Sequence, residues 1–280
     1  YLTMIIPSRW FGGGKGLDDF RREMLNDNHI RVLVDYENAS DCFPGVDIAG
    51  GVCYFLWDRD NPGLCDVVNI RNNETMHSVR ALNEFDTFIR HDQAASIVRK
   101  VCAFGEPMMS NMVSSRKPFG LPTVARPQES GDILLRWQNG EGPYRRDEIT
   151  VGRELIDKWK VITSYVGYDH AGNPGKDGKR RVFSKIDILP PRTICTETYL
   201  VVGNFDTEQE AKKLVAYMKT LFFRFLVAQC MYSHHITKEA YRLVPIQDFS
   251  LSWTDEKLYA KYGITDEEIK FIESMVRPME

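Results

Sequence analysis

The sequence predicts an α/β protein: the edge of a mixed sheet in roughly the first hundred residues, followed by an irregular α+β domain. Three observations carry this expectation. Between Leu2 and Asp58, an apolar run closed by proline, an amphipathic segment and two more apolar runs follow in close order, which reads strand, helix, strand, strand. From residue 106 onward, short strand-like runs alternate with Gly/Pro-rich turns and one long helical pattern. The length of 280 residues, with 43% hydrophobic and 27% charged side chains, suits one large or two ordinary globular domains.

Thr3 to Ile6 is a short apolar run ended by Pro7, expected to be a buried strand. A Gly-rich turn follows, and Leu17, Phe20 and Met24 repeat at helical spacing, so Leu17 to Leu25 is an amphipathic helix with those residues inward. Ile30 to Val34 is a second strand. Val52 to Trp57 is apolar on both faces and is expected at the centre of the sheet. Cys65 to Ile70 is read as an antiparallel strand closing the sheet, and residues 71 to 88 carry no periodicity. Ala94, Ile97, Val98 and Val101 mark one face of a helix over His91 to Ala103, ended at Gly105-Glu106-Pro107, where a domain boundary is placed.

Beyond it, Ser114 to Gly120 is turn-rich, Asp132 to Trp137 and Trp159 to Tyr165 are strands, Asn139 to Gly142 is a turn, and Thr193 to Val202 is strand-like. Thr207 to Met231 is the longest helical pattern, opened by a Thr207/Glu210 capping box, with Leu214, Met218, Leu221, Phe225 and Ala228 on one face. Two short helices finish the chain, one ending at Gly263 and one opening with Thr265 and Glu268.

Composition excludes several classes. A net charge of −3 is not that of a uniformly basic nucleic-acid binder. The charge is uneven, however: residues 106 to 192 hold 15 Lys/Arg against 11 Asp/Glu, and residues 248 to 280 hold 4 against 8. The basic middle points to phosphate contact. Six cysteines form no Cys-x-x-Cys pair, so zinc is not expected, and reduced thiols in apolar segments suit a cytoplasmic protein. The longest apolar run, Leu221 to Met231, is too short to span a membrane and is interrupted by Arg224.

Pro7-Ser8-Arg9-Trp10, then a helix, a strand, and Phe43-Pro44 leading into Val52 to Trp57, resembles the second half of the catalytic domain of gamma-class DNA adenine-N6 methyltransferases of restriction–modification systems. Farther on, Val161-Ile-Thr163, the long helix, His235-Ile236-Thr237 and Arg242 to Pro245 resemble that family's TaqI-like specificity domain. The resemblance implies the C-terminal half of a Rossmann-like methyltransferase sheet over residues 1–105, a target-recognition domain over 106–248 and a helical extension over 249–280. It implies that Phe43 stacks on an adenine rotated out of the duplex, since a base that leaves the stack needs a replacement aromatic face. Trp10 is an alternative wall of that pocket, with a core position as its plainer reading.

The family's cofactor loop and Asn/Asp-Pro-Pro-aromatic loop do not occur here: Pro190-Pro191 and Asn61-Pro62 lack the required neighbours. The chain is therefore expected to be a C-terminal fragment. S-adenosylmethionine would serve the parent enzyme, with no cofactor and no methylation expected of the fragment alone. The implied partners are double-stranded DNA and a restriction endonuclease, which some relatives carry fused. The rival expectation is a DNA specificity subunit without chemistry.

Candidate DNA contacts are Arg9 and Lys15 near the N-terminal turn, Arg116 and Lys117, and the loop cations Lys176, Lys179, Arg180 and Arg181, followed by Lys185. A solvated hairpin is the plainer reading of the loop. Gly12 to Gly16 fails the Walker spacing, leaving either a flexible turn or a phosphate cradle built with Lys15 and the following helix. His234-His235 near Cys230 is read as capping or packing, and Glu210-Ala-Lys212 as helix surface charge.

Overall fold

In a computed structural model, residues 1–280 are described apart from 14, 15, 72, 73, 170–173, 176 and 280. Lys15 and Lys176 thus lie outside the described residues. The chain divides into two compact units. The first comprises Tyr1–Arg99, Asp169–Arg180 and Gln229–His234; the second comprises Lys100–Tyr168, Arg181–Ala228 and His235–Glu280.

The first unit contains β1 (Leu2–Pro7), α1 (Asp18–Asn26), β2 (Ile30–Tyr36), β3 (Val52–Trp57), β4 (Cys65–Arg71), β5 (Glu74–Arg80) and most of α2 (Asp92–Cys102). Its sheet has the order β1-β3-β2-β4-β5. The strand β3 runs antiparallel to both β1 and β2, while β2 is parallel to β4 and β4 antiparallel to β5. The strands β1, β2 and β4 therefore point the same way. Val52, Cys53 and Phe55 of β3 are buried, as expected for a strand apolar on both faces.

Three expectations need correction. First, β1 is an edge strand with a single neighbour, and Leu2, Met4 and Ile5 are exposed rather than buried. Second, β4 is internal; the sheet is closed by β5, which lies in the stretch without periodicity. An edge strand exposed along most of its length needs no apolar alternation to reveal it. Third, α1 turns Leu25 fully inward, with Leu17 and Met24 packed at its margin and Phe20 left exposed. The face predicted for α2 is buried as expected.

The second unit contains β6 (Ile133–Trp137), β7 (Gly140–Tyr144), β8 (Trp159–Ser164), β9 (Ile186–Leu189), β10 (Thr193–Cys195), β11 (Tyr199–Phe205), α3 (Glu208–Lys219), α4 (Leu221–Gln229), α5 (Asp255–Tyr262) and α6 (Asp266–Met275). It builds two three-stranded sheets, β10-β6-β7 and β11-β8-β9. The stretch read as one strand, Thr193 to Val202, is two strands in different sheets. A turn at Thr196, whose carbonyl accepts the Tyr199 N–H at 3.1 Å, switches the chain between them. The turn read at Asn139 to Gly142 is shorter, because Gly140 already pairs with Trp137.

The long helical pattern breaks at Thr220, which is extended at φ −61° and ψ 152°. The break satisfies the new helix start: the Asp255 carboxylate accepts the Leu221 and Phe222 N–H groups at 2.9 and 2.8 Å, and the Thr220 hydroxyl accepts that of Phe223 at 3.1 Å. The buried Arg224 guanidinium donates back to the Lys219 and Thr220 carbonyls, covering the end of α3. Thr207 caps α3, Thr265 and Glu268 form a capping box on α6, and Gly263 ends α5 at φ +62°, each as expected.

One buried cation organises the turn before β8. Lys160 has no exposed surface and its ammonium donates to the carbonyls of Leu155, Ile156, Lys158 and Pro190 at 3.0, 3.0, 2.7 and 3.3 Å. Burial pushes its pKa down to about 8 from 10.5. The unfolded chain then holds this proton more tightly, so its contribution to stability rises as pH goes from about 8 to 10.5. Lys160→Met removes the ammonium from four carbonyls, of which Leu155, Ile156 and Pro190 keep a backbone N–H donor. It is expected to lower stability by about 1–3 kcal/mol at neutral pH, and the stability difference from wild type should widen across that alkaline window. Urea titrations of both proteins at pH 7, 9 and 10.5 check this; a difference flat with pH rules out the perturbed ammonium.

Candidate functional site

In an open sheet, ligands gather outside the carboxyl ends of the parallel strands. In the first unit, Ser8 follows β1 directly, Asp35 and Glu37 sit at the end of β2, and Asn69 and Arg71 at the end of β4. These ends enclose a buried ionic network. Asp35 accepts from the Ser8 hydroxyl at 2.8 Å and the Asn69 amide at 3.3 Å, and its Oδ2 lies 3.0 Å from Arg90 Nε. Glu37 pairs with His91 Nε2, and its Oε2 lies 3.7 Å from Arg71 Nε. The Arg90 guanidinium also lies over the rings of Phe11 and Tyr232, at 5.4 and 5.1 Å, which fixes its plane.

Burial alone pushes both carboxyls up, but the outcomes differ. Asp35 stays above the usual carboxylate range, with Arg90 only partly offsetting the burial. For Glu37, the His91 charge and hydrogen bond, followed by the charges of Arg90 and Arg180, outweigh burial and hold it well below that range.

This network brackets a loop. After β2, Asn38 caps a short turn by accepting the Ser40 N–H, Phe43 N–H donates to Ala39 O at 2.8 Å, and Val46 N–H donates to Phe43 O at 3.0 Å. The loop returns through Gly50 and Gly51, both at positive φ, into β3. A Cβ on Gly51 would stand 2.1 Å from the Tyr36 carbonyl, so only glycine fits there. Arg90 pairs with Asp35 before the loop and donates to the Gly50 carbonyl after it, so one guanidinium holds both ends. Phe43, within this loop, is 39% exposed.

The other predicted site residues are dispersed. Arg9 is partly exposed beside Ser8, and Trp10 is in the core, edge-on to Phe11 at 4.7 Å. Gly12 is required by packing, since a Cβ would stand 2.3 Å from the Tyr232 ring. The first turn of α1 carries Asp18 and Asp19, whose carboxylates already answer the positive end of the helix. Lys179 is half-exposed on a turn closed by Gly175 N–H to Lys179 O at 2.9 Å. Its neighbour Arg180 departs from the expected solvated arm: it is buried in the first unit, donating to Met231 O at 3.4 Å, with its charge felt by Glu37. Arg181, in the second unit, lies over the Tyr168 ring at 4.6 Å. In the same unit Arg116 and Lys117 face Glu197 at 3.1 and 3.8 Å. His235 packs on Tyr165 at 4.7 Å, and no metal-ligand cluster occurs among the described residues.

Asp35, Glu37, Asn69, Arg90 and His91 escape a reading of the sequence. Their one signal is a pair of acids alternating at the end of an apolar strand and an adjacent Arg-His before a helix, a pattern equally common on surfaces.

Residues 1–43 match the family model described as Eco57I restriction-modification methylase. The N-terminal stretch is similar to restriction–modification methylases. A protein of Mycoplasma pneumoniae described as an uncharacterized adenine-specific methylase is 36% identical over 64 residues, covering 22% of this chain and 15% of its own length. The structure of the type IIG restriction endonuclease BpuSI aligns with 94% of this chain and 42% of its own, at 9% identity and a TM-score of 0.32, too low to carry an argument. The methylase-like stretch thus includes β1, α1, β2 and the first half of the bracketed loop, and ends at Phe43. No helix among the described residues is long and apolar enough to cross a membrane.

Because Glu37 is held in its charged form, its contribution to stability is present above its ordinary pKa of 4.5 and is lost as pH falls through its lowered value. Glu37→Gln removes the carboxylate that faces His91 and Arg71 and leaves Arg90 with Asp35 alone. It is expected to cost about 3–5 kcal/mol near pH 7 and progressively less below pH 4.5. Guanidinium unfolding at pH 7 and pH 3.5 tests this; an equal loss at both would show that the Glu37 charge is not the cause.

Proposed function

We propose that this chain is the base-stacking and DNA-binding portion of a DNA adenine-N6 methyltransferase of restriction–modification type, one that takes its methyl group from S-adenosylmethionine. The first unit would be part of the catalytic domain and the second the target-recognition domain. The methyl donor's contacts are assigned to no residue of this chain. The observation that carries the reading is Phe43. An aromatic ring is 39% exposed at the carboxyl edge of the sheet, on a loop held at both ends, within the methylase-like stretch. A core phenylalanine would be buried, whereas a stacking platform has to be open and preorganised.

In this reading the adenine leaves the duplex, loses its neighbours and regains stacking on Phe43. Arg9, also at this edge, would meet the backbone of the strand being opened. Arg116, Lys117, Lys179 and Arg181 would contact DNA, while the inward Arg180 would hold its turn in place. A restriction endonuclease, fused or separate, would be the functional partner.

Phe43→Ala removes a face worth about 1–3 kcal/mol. In the methylating enzyme it should slow single-turnover methylation by roughly ten- to a hundredfold with little loss of DNA affinity. Phe43→Trp should retain most activity, and the defect should shrink on a duplex whose target adenine is mismatched, because less pairing energy opposes extrusion. Equal defects on both duplexes, together with a melting temperature several degrees lower, would make Phe43 structural.

Charge reversal addresses the second role. Lys179→Glu with Arg181→Glu should weaken duplex binding and lower the log–log salt slope by about 0.9 for each phosphate no longer neutralised. Unchanged affinity and slope in fluorescence anisotropy would remove these residues from the interface.

A further inference from the structure

The Ser114 to Gly120 loop of the second unit is pinned at both ends. Ser114 N–H donates to Val201 O at 2.8 Å, Val201 N–H donates back to the Ser114 hydroxyl at 3.1 Å, and Phe119 is buried in the unit's core. Between the pins, Arg116 and Lys117 stand at the surface, with side chains 57% and 49% exposed. Lys117 adopts φ +64°, a left-handed conformation uncommon for a residue with a side chain, in a turn closed by Gly120 N–H to Lys117 O at 3.0 Å. Such strain persists where the surroundings impose it, and it marks positions whose side-chain direction matters.

Both cations converge on one oxygen. Glu197 lies between β10 and β11 with its side chain only 10% exposed. Its Oε1 accepts from the Thr123 N–H at 3.1 Å and the Thr123 hydroxyl at 3.3 Å. Its Oε2 faces Arg116 Nε at 3.1 Å and Lys117 Nζ at 3.8 Å. Burial would raise this carboxyl, but the Thr123 N–H and the charges of Arg116 and Lys117 outweigh it and keep Glu197 ionised. The Arg116 guanidinium also lies 4.9 Å over the Tyr165 ring, which packs on His235. In the free protein the guanidinium thus rests against both the Tyr165 ring and the Glu197 carboxylate.

A singly charged oxygen acceptor held by an arginine and an adjacent lysine is what a phosphodiester would also present. The carboxylate is anchored from behind by Thr123, whereas the two cations are long, exposed side chains on a rigid loop. They can turn outward without moving backbone; Glu197 cannot follow them. We propose that Arg116 and Lys117 form a phosphodiester site for duplex DNA, and that Glu197 occupies this site in the free protein as a built-in competitor. The inference rests on the DNA-binding role proposed above and adds its control. DNA must draw both cations off the carboxylate, and the carboxylate then stays close enough to oppose the phosphate. Glu197 thus lowers affinity for any backbone, and interactions made only at the right site must offset that loss.

The test is duplex binding by the whole chain, read as anisotropy of a labelled mixed-sequence duplex over a series of salt concentrations. Glu197→Gln keeps an oxygen for Thr123 and removes the charge. It should tighten binding by about three- to thirtyfold at low salt, the range expected for freeing two partly exposed ion pairs. Its salt slope should steepen by up to about 0.9, the value for one phosphate. In an Arg116→Ala, Lys117→Ala background the same substitution should change little. An unchanged affinity for Glu197→Gln, or an equal gain in the doubly substituted background, would overturn the proposal while leaving DNA binding intact. Absence of duplex binding by every form would overturn both the proposal and the DNA-binding role beneath it. Competition by inorganic phosphate at low millimolar concentration would mark a small-anion site instead and would also overturn it. Thermal melting of each variant identifies loss of fold, and the Arg116→Ala, Lys117→Ala protein, which alters only exposed side chains, supplies the reciprocal reading: weaker binding than wild type is expected, and equal binding counts against the site.

Discussion

The first unit depends on the cost of burying charge. Asp35 and Glu37 sit at the end of a strand whose neighbours are apolar, and both are out of water. Isolated, either would be heavily penalised; the structure answers with Ser8, Asn69, Arg90, His91 and Arg71 drawn from the ends of other elements. The partners come from three separate parts of the chain, the end of β1, the end of β4 and the segment before α2, so the network can close only when these are assembled together. The same network fixes the two ends of the loop that carries Phe43. In this way an electrostatic demand in the interior becomes positional control of an exposed ring.

The second unit uses cations in two ways. Lys160 and Arg224 are fully buried and each donates to several backbone carbonyls, one at the turn before β8 and one at the end of α3. Arg116, Lys117 and Arg181 remain near the surface, two of them laid over tyrosine rings. The positive balance of the middle of the chain is therefore not a measure of DNA contact: part of it closes the fold and only the remainder is available to a phosphate backbone.

Helix signals and their caps were readable because they are local. The 3.6-residue period of α2, the Thr265/Glu268 box and the glycine after α5 depend on residues a few positions apart, and the structure realises each of them. The helix break at Thr220 was hidden because its cause is distant: Asp255 supplies the acceptors that let a second helix begin. The exposed β5 was hidden for another reason, since an edge strand with few buried side chains has no pattern to display. At the candidate site, Phe43 could be singled out from the order of motifs around it, whereas the network beneath it could not, because a carboxylate at the end of a strand looks the same whether it meets solvent or arginine.

By itself, then, the sequence determined what depends on spacing along the chain: an α/β beginning, a mixed continuation, most helix ends, and a methylase-like order of motifs around Phe43. The tertiary structure decided which charges are buried. It turned Arg180 inward and left Arg116 and Lys117 at the surface, set Glu197 against them, and placed both ends of the Phe43 loop under Arg90. The physical reason is range. Periodicity and capping act within a few residues, whereas the pairing of a buried charge is settled by whichever distant group the assembled fold brings within about 3 to 4 Å.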